Sequence, residues 1–361
     1  MCRSIMPGVA APQVYSLNVH AAYACRRTGA CCAAGWSIPV EPRVQPLIGR
    51  ARIVPLENGE CPEFERAGKT CRLQRELGED ALPESCYQFP RRALLDQRGT
   101  FVTLSHFCPT AAAMVVDAAD PLAIVEGPPA FPRDRRYEGL DARQEWPPLL
   151  RPDVLFDPVT YTRWEQFLVE RLGDPERTVS ATLGRIARAA ERLRGWTPAH
   201  GPLIDWSHSA LSEDHPGGVP DVYEGCIGVH AYALALECVP ASLDTPDLPA
   251  ELEKADAAFL AAPWNERRGA VARYLGSKAF GAWSAYDGRG VRTQIAELFL
   301  SASVLRIECA RACTRAGRAL DRDLLVEAIR SADWLLVHLV DRPSLMNRLR
   351  HVEAHAPTRR L

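Results

Sequence analysis

Clustered cysteines constrain this chain of 361 residues more than any other feature of its sequence. Seven of its twelve cysteines lie between residues 25 and 108, and the other five are scattered. Thiols this dense are paired in disulfides, bound to a metal or buried as small apolar groups. The clustered cysteines are Cys25, Cys31, Cys32, Cys61, Cys71, Cys86 and Cys108.

The redox compartment decides between disulfides and a metal. The first residues, MCRSIMPGVAAP, lack the apolar stretch of a signal peptide. The longest apolar run contains Glu297 and stops at Arg306, so it is too short and too polar to span a bilayer. We therefore expect a soluble cytoplasmic protein without a membrane partner, in which thiols stay reduced and clustered cysteines bind metals. The net charge of -2, with both signs mixed, indicates no nucleic-acid partner.

The sequence around the thiols favours a metal centre over the two alternatives. Thiolates are soft ligands, and four of them suit Zn²⁺ or an iron–sulfur cluster. Polar, turn-rich sequence precedes Cys31 and Cys71, whereas core cysteines need apolar neighbours at a regular spacing. Disulfides are the weaker alternative, because the adjacent Cys31 and Cys32 would each need a distant partner. All seven cysteines remain candidate ligands.

The spacing of the apolar residues and the positions of glycine and proline predict a mainly α fold. Residues 1–118 form an irregular, cysteine-rich domain with a small β-hairpin, in which Leu94 to Asp96 pair with Phe101 to Ser105. Residues 119–153 carry seven prolines and predict a linker, and 154–361 predict an α-helical domain. Within it, the segment from Pro198 to Val222 is expected to be a loop. Helical patterns cover 161–172, 183–193, 225–239, 249–260, 264–279, 291–316 and 321–339.

Other polar residues have competing interpretations. His106 lies two residues before Cys108 and is either a metal ligand or a surface strand residue. Arg91 and Arg92 either offset thiolate charge, hold a carboxylate or are solvated. Trp36 is expected to shield the centre from water. Four further cysteines lie in apolar helical sequence and predict core packing: Cys226, Cys238, Cys309 and Cys313.

Three sequence blocks resemble the cysteine-cluster family described as zinc- or iron-chelating, and within it the flagellin lysine N-methylase branch. They are CCAAGW at Cys31 to Trp36, the block from Cys61 to Arg92, and LSHFCP at Leu104 to Pro109. A fainter resemblance covers YLGSKAF from Tyr274 and SADWLLVH from Ser331. The chain departs from the family at Thr28, where a cysteine is common.

The resemblance implies an iron–sulfur cluster, of the four-iron type, and transfer of methyl groups from S-adenosylmethionine to lysine side chains of a protein substrate. Flagellin is the precedent of the relatives only. The sequence has no Rossmann glycine fingerprint, so it assigns neither catalytic nor donor-binding residues. Two alternatives stay open: a non-catalytic zinc-binding structural or interaction protein, and an iron–sulfur redox protein.

Overall fold

The computed structural model describes residues 13–174, 176–212, 217–245, 247 and 252–354. It is 54% helical and 11% strand, which confirms a mainly α fold. The strands are β1 (Val14–Leu17), β2 (Ile38–Pro39), β3 (Arg52–Ile53), β4 (Phe64–Glu65), β5 (Thr70–Cys71), β6 (Arg91–Asp96), β7 (Gly99–Leu104), β8 (Ile124–Glu126), β9 (Gly139–Asp141), β10 (Leu149–Arg151) and β11 (Val154–Leu155).

Helices dominate the second half of the chain. The α-helices are α1 (Gln45–Ile48), α2 (Arg72–Leu77), α3 (Glu84–Gln88), α4 (Pro109–Asp117), α5 (Pro158–Leu172), α6 (Val179–Arg194), α7 (Leu203–Ser212), α8 (Gly228–Glu237), α9 (Leu252–Ala255), α10 (Ala261–Glu266), α11 (Arg268–Ala279), α12 (Ser284–Asp287), α13 (Val291–Ala316), α14 (Arg322–Asp333) and α15 (Arg342–Leu349). Short 3₁₀ turns cover Asn18–His20, Glu79–Ala81, Pro198–His200, Asp221–Cys226 and Arg350–Ala354, and π-helical turns cover Asp256–Leu260 and Trp334–Leu339.

The predicted hairpin is confirmed, but it belongs to a larger sheet. Strands β6 and β7 pair antiparallel with Leu94 opposite Phe101. They form the centre of a five-stranded mixed sheet in the order β8-β1-β7-β6-β9. β1 is parallel to β7, and β9 is parallel to β6. The sheet is therefore wider and more mixed than the hairpin that the sequence predicts.

Part of the stretch predicted as a linker joins this sheet. β8 and β9 both lie between residues 119 and 153 and form the two edges of the sheet. All seven prolines fall outside the short strands of this stretch, where no ladder hydrogen bond is lost. The division into two domains remains a prediction.

Helix α13 has the bounds that its apolar periodicity predicts. It ends at Gly317, whose φ of 63° is the left-handed conformation expected of a glycine after a helix. The segment from Pro198 to Val222 was expected to be a loop, which is wrong in part because it contains α7. Leu203, Ala210 and Leu211 of α7 are buried, so packing overrides the weak local pattern.

One hydrophobic core joins the sheet to the helices. Leu94 and Phe101 of the hairpin belong to the same buried cluster as α5, α11, α13 and α14. The four cysteines outside the N-terminal block are buried in that cluster, which confirms their predicted core role: Cys226, Cys238, Cys309 and Cys313. No helix of the described residues is long and apolar enough to cross a membrane.

Candidate metal centre and adjoining groove

All seven clustered cysteines line one cavity of about 190 Å³. Cys108 is buried, Cys25 and Cys86 are exposed, and the other four have intermediate exposure. The described cysteines form no disulfide. Residues from five segments of the cysteine block thus converge on one enclosed space, although up to 83 positions separate them in the sequence.

Backbone contacts hold the loop of Cys31 and Cys32 against the strands that follow. The amide of Cys61 donates to the carbonyl of Cys32 at 2.7 Å, and the amide of Cys32 donates to the carbonyl of Gly29 at 3.0 Å. Gly29 has a φ of 76°, and a Cβ at this position would overlap the ring of Phe64 in β4. Only glycine therefore allows this turn to pack against β4.

Of the thiols at Cys31 and Cys108, only that of Cys31 has a position that favours the thiolate form. The sulfur atoms of Cys31 and Cys32 are 3.9 Å apart, and the hydrogen bond from the Cys32 thiol lowers the pKa of Cys31 to about 7. Cys108 precedes α4, where Pro109 begins the helix. Burial raises the pKa of Cys108, while the first amides of α4 and the hydroxyl of Tyr23 oppose that rise.

The donor chemistry of the cavity fits a soft metal. Burial and neighbouring thiols raise the pKa of Cys61, so this site disfavours a thiolate while it holds no cation. A bound cation would lower the pKa and favour the thiolate. With the side chains as they stand, no three metal-ligating side chains of the described residues converge closely enough to hold an ion. Coordination therefore requires the thiols to move from these positions.

An open groove shares a wall with the thiol cavity. Its volume is about 420 Å³, and Trp36, Phe89 and Arg91 line both spaces. The ring of Trp36 contacts those of Phe89 and His338, with centroids 5.3 and 5.0 Å apart. Trp36, four residues after Cys32 in sequence, thus lies between the thiol cavity and an aromatic groove.

A buried polar network lies behind this groove and centres on Asp333. Its carboxylate accepts from the hydroxyl of Tyr274 at 2.9 Å and from the amide of His106 at 2.6 Å, and it pairs with Lys278. Burial would raise the pKa of Asp333, but the Lys278 ammonium and His106 hold it well below the usual range. The carboxylate of Asp333 therefore stays charged. Nε2 of His106 lies 3.2 Å from Nε2 of His20.

His338 connects the groove to this network. Its Nε2 is 2.8 Å from the hydroxyl oxygen of Ser105, and both residues line the groove. Burial lowers the pKa of His338 to about 4, with Arg92 and Lys278 adding to the effect and Asp333 opposing it. The imidazole is therefore neutral at pH 7.

Sequence reasoning missed this network. The surface alternative for His106 is wrong, because this residue is fully buried with its backbone amide and ring at Asp333. Its role as a metal ligand stays a prediction. Tyr274, Lys278 and Asp333 lie within two blocks already singled out, YLGSKAF and SADWLLVH. A lysine four residues after a tyrosine, and an aspartate within an apolar helix, are the signals that could have found them.

Comparison with known protein families, with curated proteins and with solved structures finds no match for this chain.

Proposed function

We propose that this chain is an iron–sulfur protein that methylates lysine side chains of a protein substrate with S-adenosylmethionine. The observation that carries the proposal is the shared wall of Trp36 and Phe89 between a seven-thiol cavity and an aromatic groove. A cofactor space directly beside an accessible groove is an arrangement that enzymes use. The resemblance of the cysteine block to the flagellin lysine N-methylase branch supplies the reaction.

The thiols of the cysteine block would hold the cluster, and four of the seven suffice for a four-iron cluster. A bound cluster would supply either an open iron site for the amino-acid end of the methyl donor or a rigid floor for the groove. Trp36 and Phe89 would keep water away from it. The ligand set remains open among Cys25, Cys31, Cys32, Cys61, Cys71, Cys86 and Cys108.

The groove residues favour the neutral amine that a methyl transfer needs. Aromatic walls and the positive charges of Arg91 and Arg92 disfavour a lysine ammonium, because desolvation and like charge both lower its pKa. The ammonium would lose its proton to water, because the lowered pKa of His338 makes that imidazole a weak base. The transfer then forms a nitrogen–carbon bond to lysine and breaks the sulfur–carbon bond of the donor.

Two measurements test the proposal. We expect anaerobic reconstitution with iron and sulfide to give a brown protein with visible charge-transfer absorption. Calorimetry is expected to detect S-adenosylmethionine binding to the cluster-loaded form only. A colourless protein that holds stoichiometric zinc would contradict the iron–sulfur assignment, and a cluster-loaded protein that binds no donor would contradict the methyltransferase.

The second candidate function is that of a structural module stabilised by bound zinc. The elements of the cysteine block are short, and its own buried apolar cluster is small, which is typical of domains that a metal stabilises. That cluster consists of Val40, Val44, Ile53, Leu73 and Leu82. This candidate predicts tight zinc binding without any affinity for the methyl donor.

A further inference from the structure

The aromatic groove has a strongly cationic lining. Arg91 and Arg92 line it, and none of the described residues that line it is acidic. Most ion pairs of the chain join an arginine directly to a carboxylate, so a groove with two arginines and no carboxylate is unusual for this molecule. Its charge fits a ligand that brings a negative group.

Arg92 has no counter-ion in direct contact. Its guanidinium lies over the ring of Trp283, 4.7 Å from the centroid, and makes no hydrogen bond or ion pair with the described residues. The carboxylates that act on it from a distance already have partners. Asp333 pairs with Lys278, and Arg342 binds the other two, Asp287 and Glu297.

Arg91 also has few partners that compensate its charge. One of its terminal nitrogens donates to the carbonyl of Tyr87 at 3.3 Å, and its Nε is buried without a hydrogen-bond partner. Burial lowers the pKa of both Arg91 and Arg92, as expected for cations with little compensation. Arg98, by contrast, contacts two carboxylates, those of Asp96 at 2.8 Å and Glu165 at 3.0 Å.

We propose that Arg92 forms an anion-binding subsite in this groove for a carboxylate or phosphate group of a ligand. A guanidinium offers a planar pair of N–H donors that matches both oxyanions. The faces of Trp36 and Phe89 on the same groove offer stacking surfaces for the rest of that ligand. The subsite depends only on Arg92, so it stands whether or not the thiols hold a cluster.

Anion titrations of the full chain test this subsite. Acetate and phosphate are added separately, with chloride adjusted to keep the ionic strength constant, while the arginine Nε–H resonances and the unfolding temperature are recorded. We expect a saturable shift of the Arg92 resonance and a rise in unfolding temperature with at least one oxyanion. The oxyanion that binds more strongly shows whether the ligand brings a carboxylate or a phosphate to this subsite.

Arg92→Met is the test variant, and Arg306→Met is its matched control. Arg306 also lies over a tryptophan, Trp264, at 5.2 Å, but Asp256 binds it through two contacts of 2.7 Å. We expect Arg92→Met to weaken oxyanion affinity roughly tenfold or more, since charged hydrogen bonds are lost. Arg306→Met should retain the affinity.

Stability without oxyanion separates a binding arginine from a structural one. In chloride, Arg92→Met should unfold at the wild-type temperature or above it, because an uncompensated charge is removed, whereas Arg306→Met should unfold lower. Arg92→Lys keeps the charge but loses the planar fork, and it should weaken binding even if the Met variant does not fold. Equal responses to chloride, acetate and phosphate, or full affinity in Arg92→Met, would overturn the proposal.

Discussion

At the scale of single residues, His338 links burial to a dependence of stability on pH. Its pKa is lowered from 6.5 to about 4, so the unfolded chain binds a proton in this window and the folded chain does not. The contribution of His338 is therefore fully present above pH 6.5 and is lost as the pH falls through 4. We expect His338→Gln to remove part of this acid destabilisation, about 3 kcal/mol at most, as measured by urea unfolding across the window.

Ser105→Ala provides the control for this titration. It removes the hydroxyl that lies 2.8 Å from Nε2 of His338 but leaves the imidazole in place. Its unfolding free energy should keep the wild-type slope between pH 6.5 and 4. If His338→Gln kept the wild-type slope, His338 would not be the source of the pH dependence. The slope would then come from His20 and His106, whose pKa values burial also lowers.

Asp333 is the residue on which the buried network depends. Asp333→Asn leaves the ammonium of Lys278 without a negative partner in a buried site, which typically costs about 3–5 kcal/mol. Urea unfolding at pH 7 measures the loss. The double variant with Lys278→Met should recover part of it, since the stranded charge is then gone.

An exposed ion pair is the comparison for Asp333. Asp117 contacts Arg322 at 2.6 Å, and both side chains are nearly half exposed. Asp117→Asn should change the unfolding free energy by about 1 kcal/mol or less. Equal losses in Asp117→Asn and Asp333→Asn would show that the network around Asp333 contributes no more than a surface pair.

At the scale of elements, the turn at Gly29 decides whether the Cys31–Cys32 pair reaches β4. Gly29→Ala strains a backbone with φ of 76° and also forces the ring of Phe64 aside. We expect a loss of stability well above the ordinary strain of about 1 kcal/mol, together with a lower metal content after reconstitution. Urea unfolding and metal analysis check the two effects.

Gly49→Ala separates backbone strain from displacement of the ring. Gly49 has a similar φ of 70°, but a Cβ there would meet nothing within 4 Å. This variant should lose only about 1 kcal/mol and keep its full metal content. Equal metal content in both variants would contradict a role of the Gly29 turn in positioning the thiols.

Local pattern predicts the elements whose stabilising contacts are close in sequence. The stripe of α13 and the hairpin of β6 and β7 are such cases, because periodicity and turn residues specify them directly. The parallel pairing of β1 with β7 joins residues more than 80 positions apart, and no local signal encodes it. The seven thiols could be predicted as a group from their residue type alone, whereas the network around Asp333 joins residue types that are common in any helical protein.

At the scale of the whole molecule, stability is distributed unevenly between the cysteine block and the rest. The main core runs from β1 through the sheet into α13 and α14. The block that carries most of the thiols has only its own small apolar cluster, with Cys61 and Cys71 packed against it. A metal bound to these thiols would therefore stabilise the block far more than the helices.

Removal of the metal should consequently unfold one part of the chain. We expect chelation, or Cys71→Ser, to accelerate amide hydrogen exchange across residues 25–88 while exchange in α13 changes little, since the helical core does not depend on the thiols. Cys226→Ala, which alters a buried cysteine of the main core, should leave exchange in residues 25–88 at the wild-type rate. If residues 25–88 exchanged at the same rate with and without metal, the block would not depend on the centre for its structure. If exchange in α13 accelerated equally, the two parts would unfold as one cooperative unit.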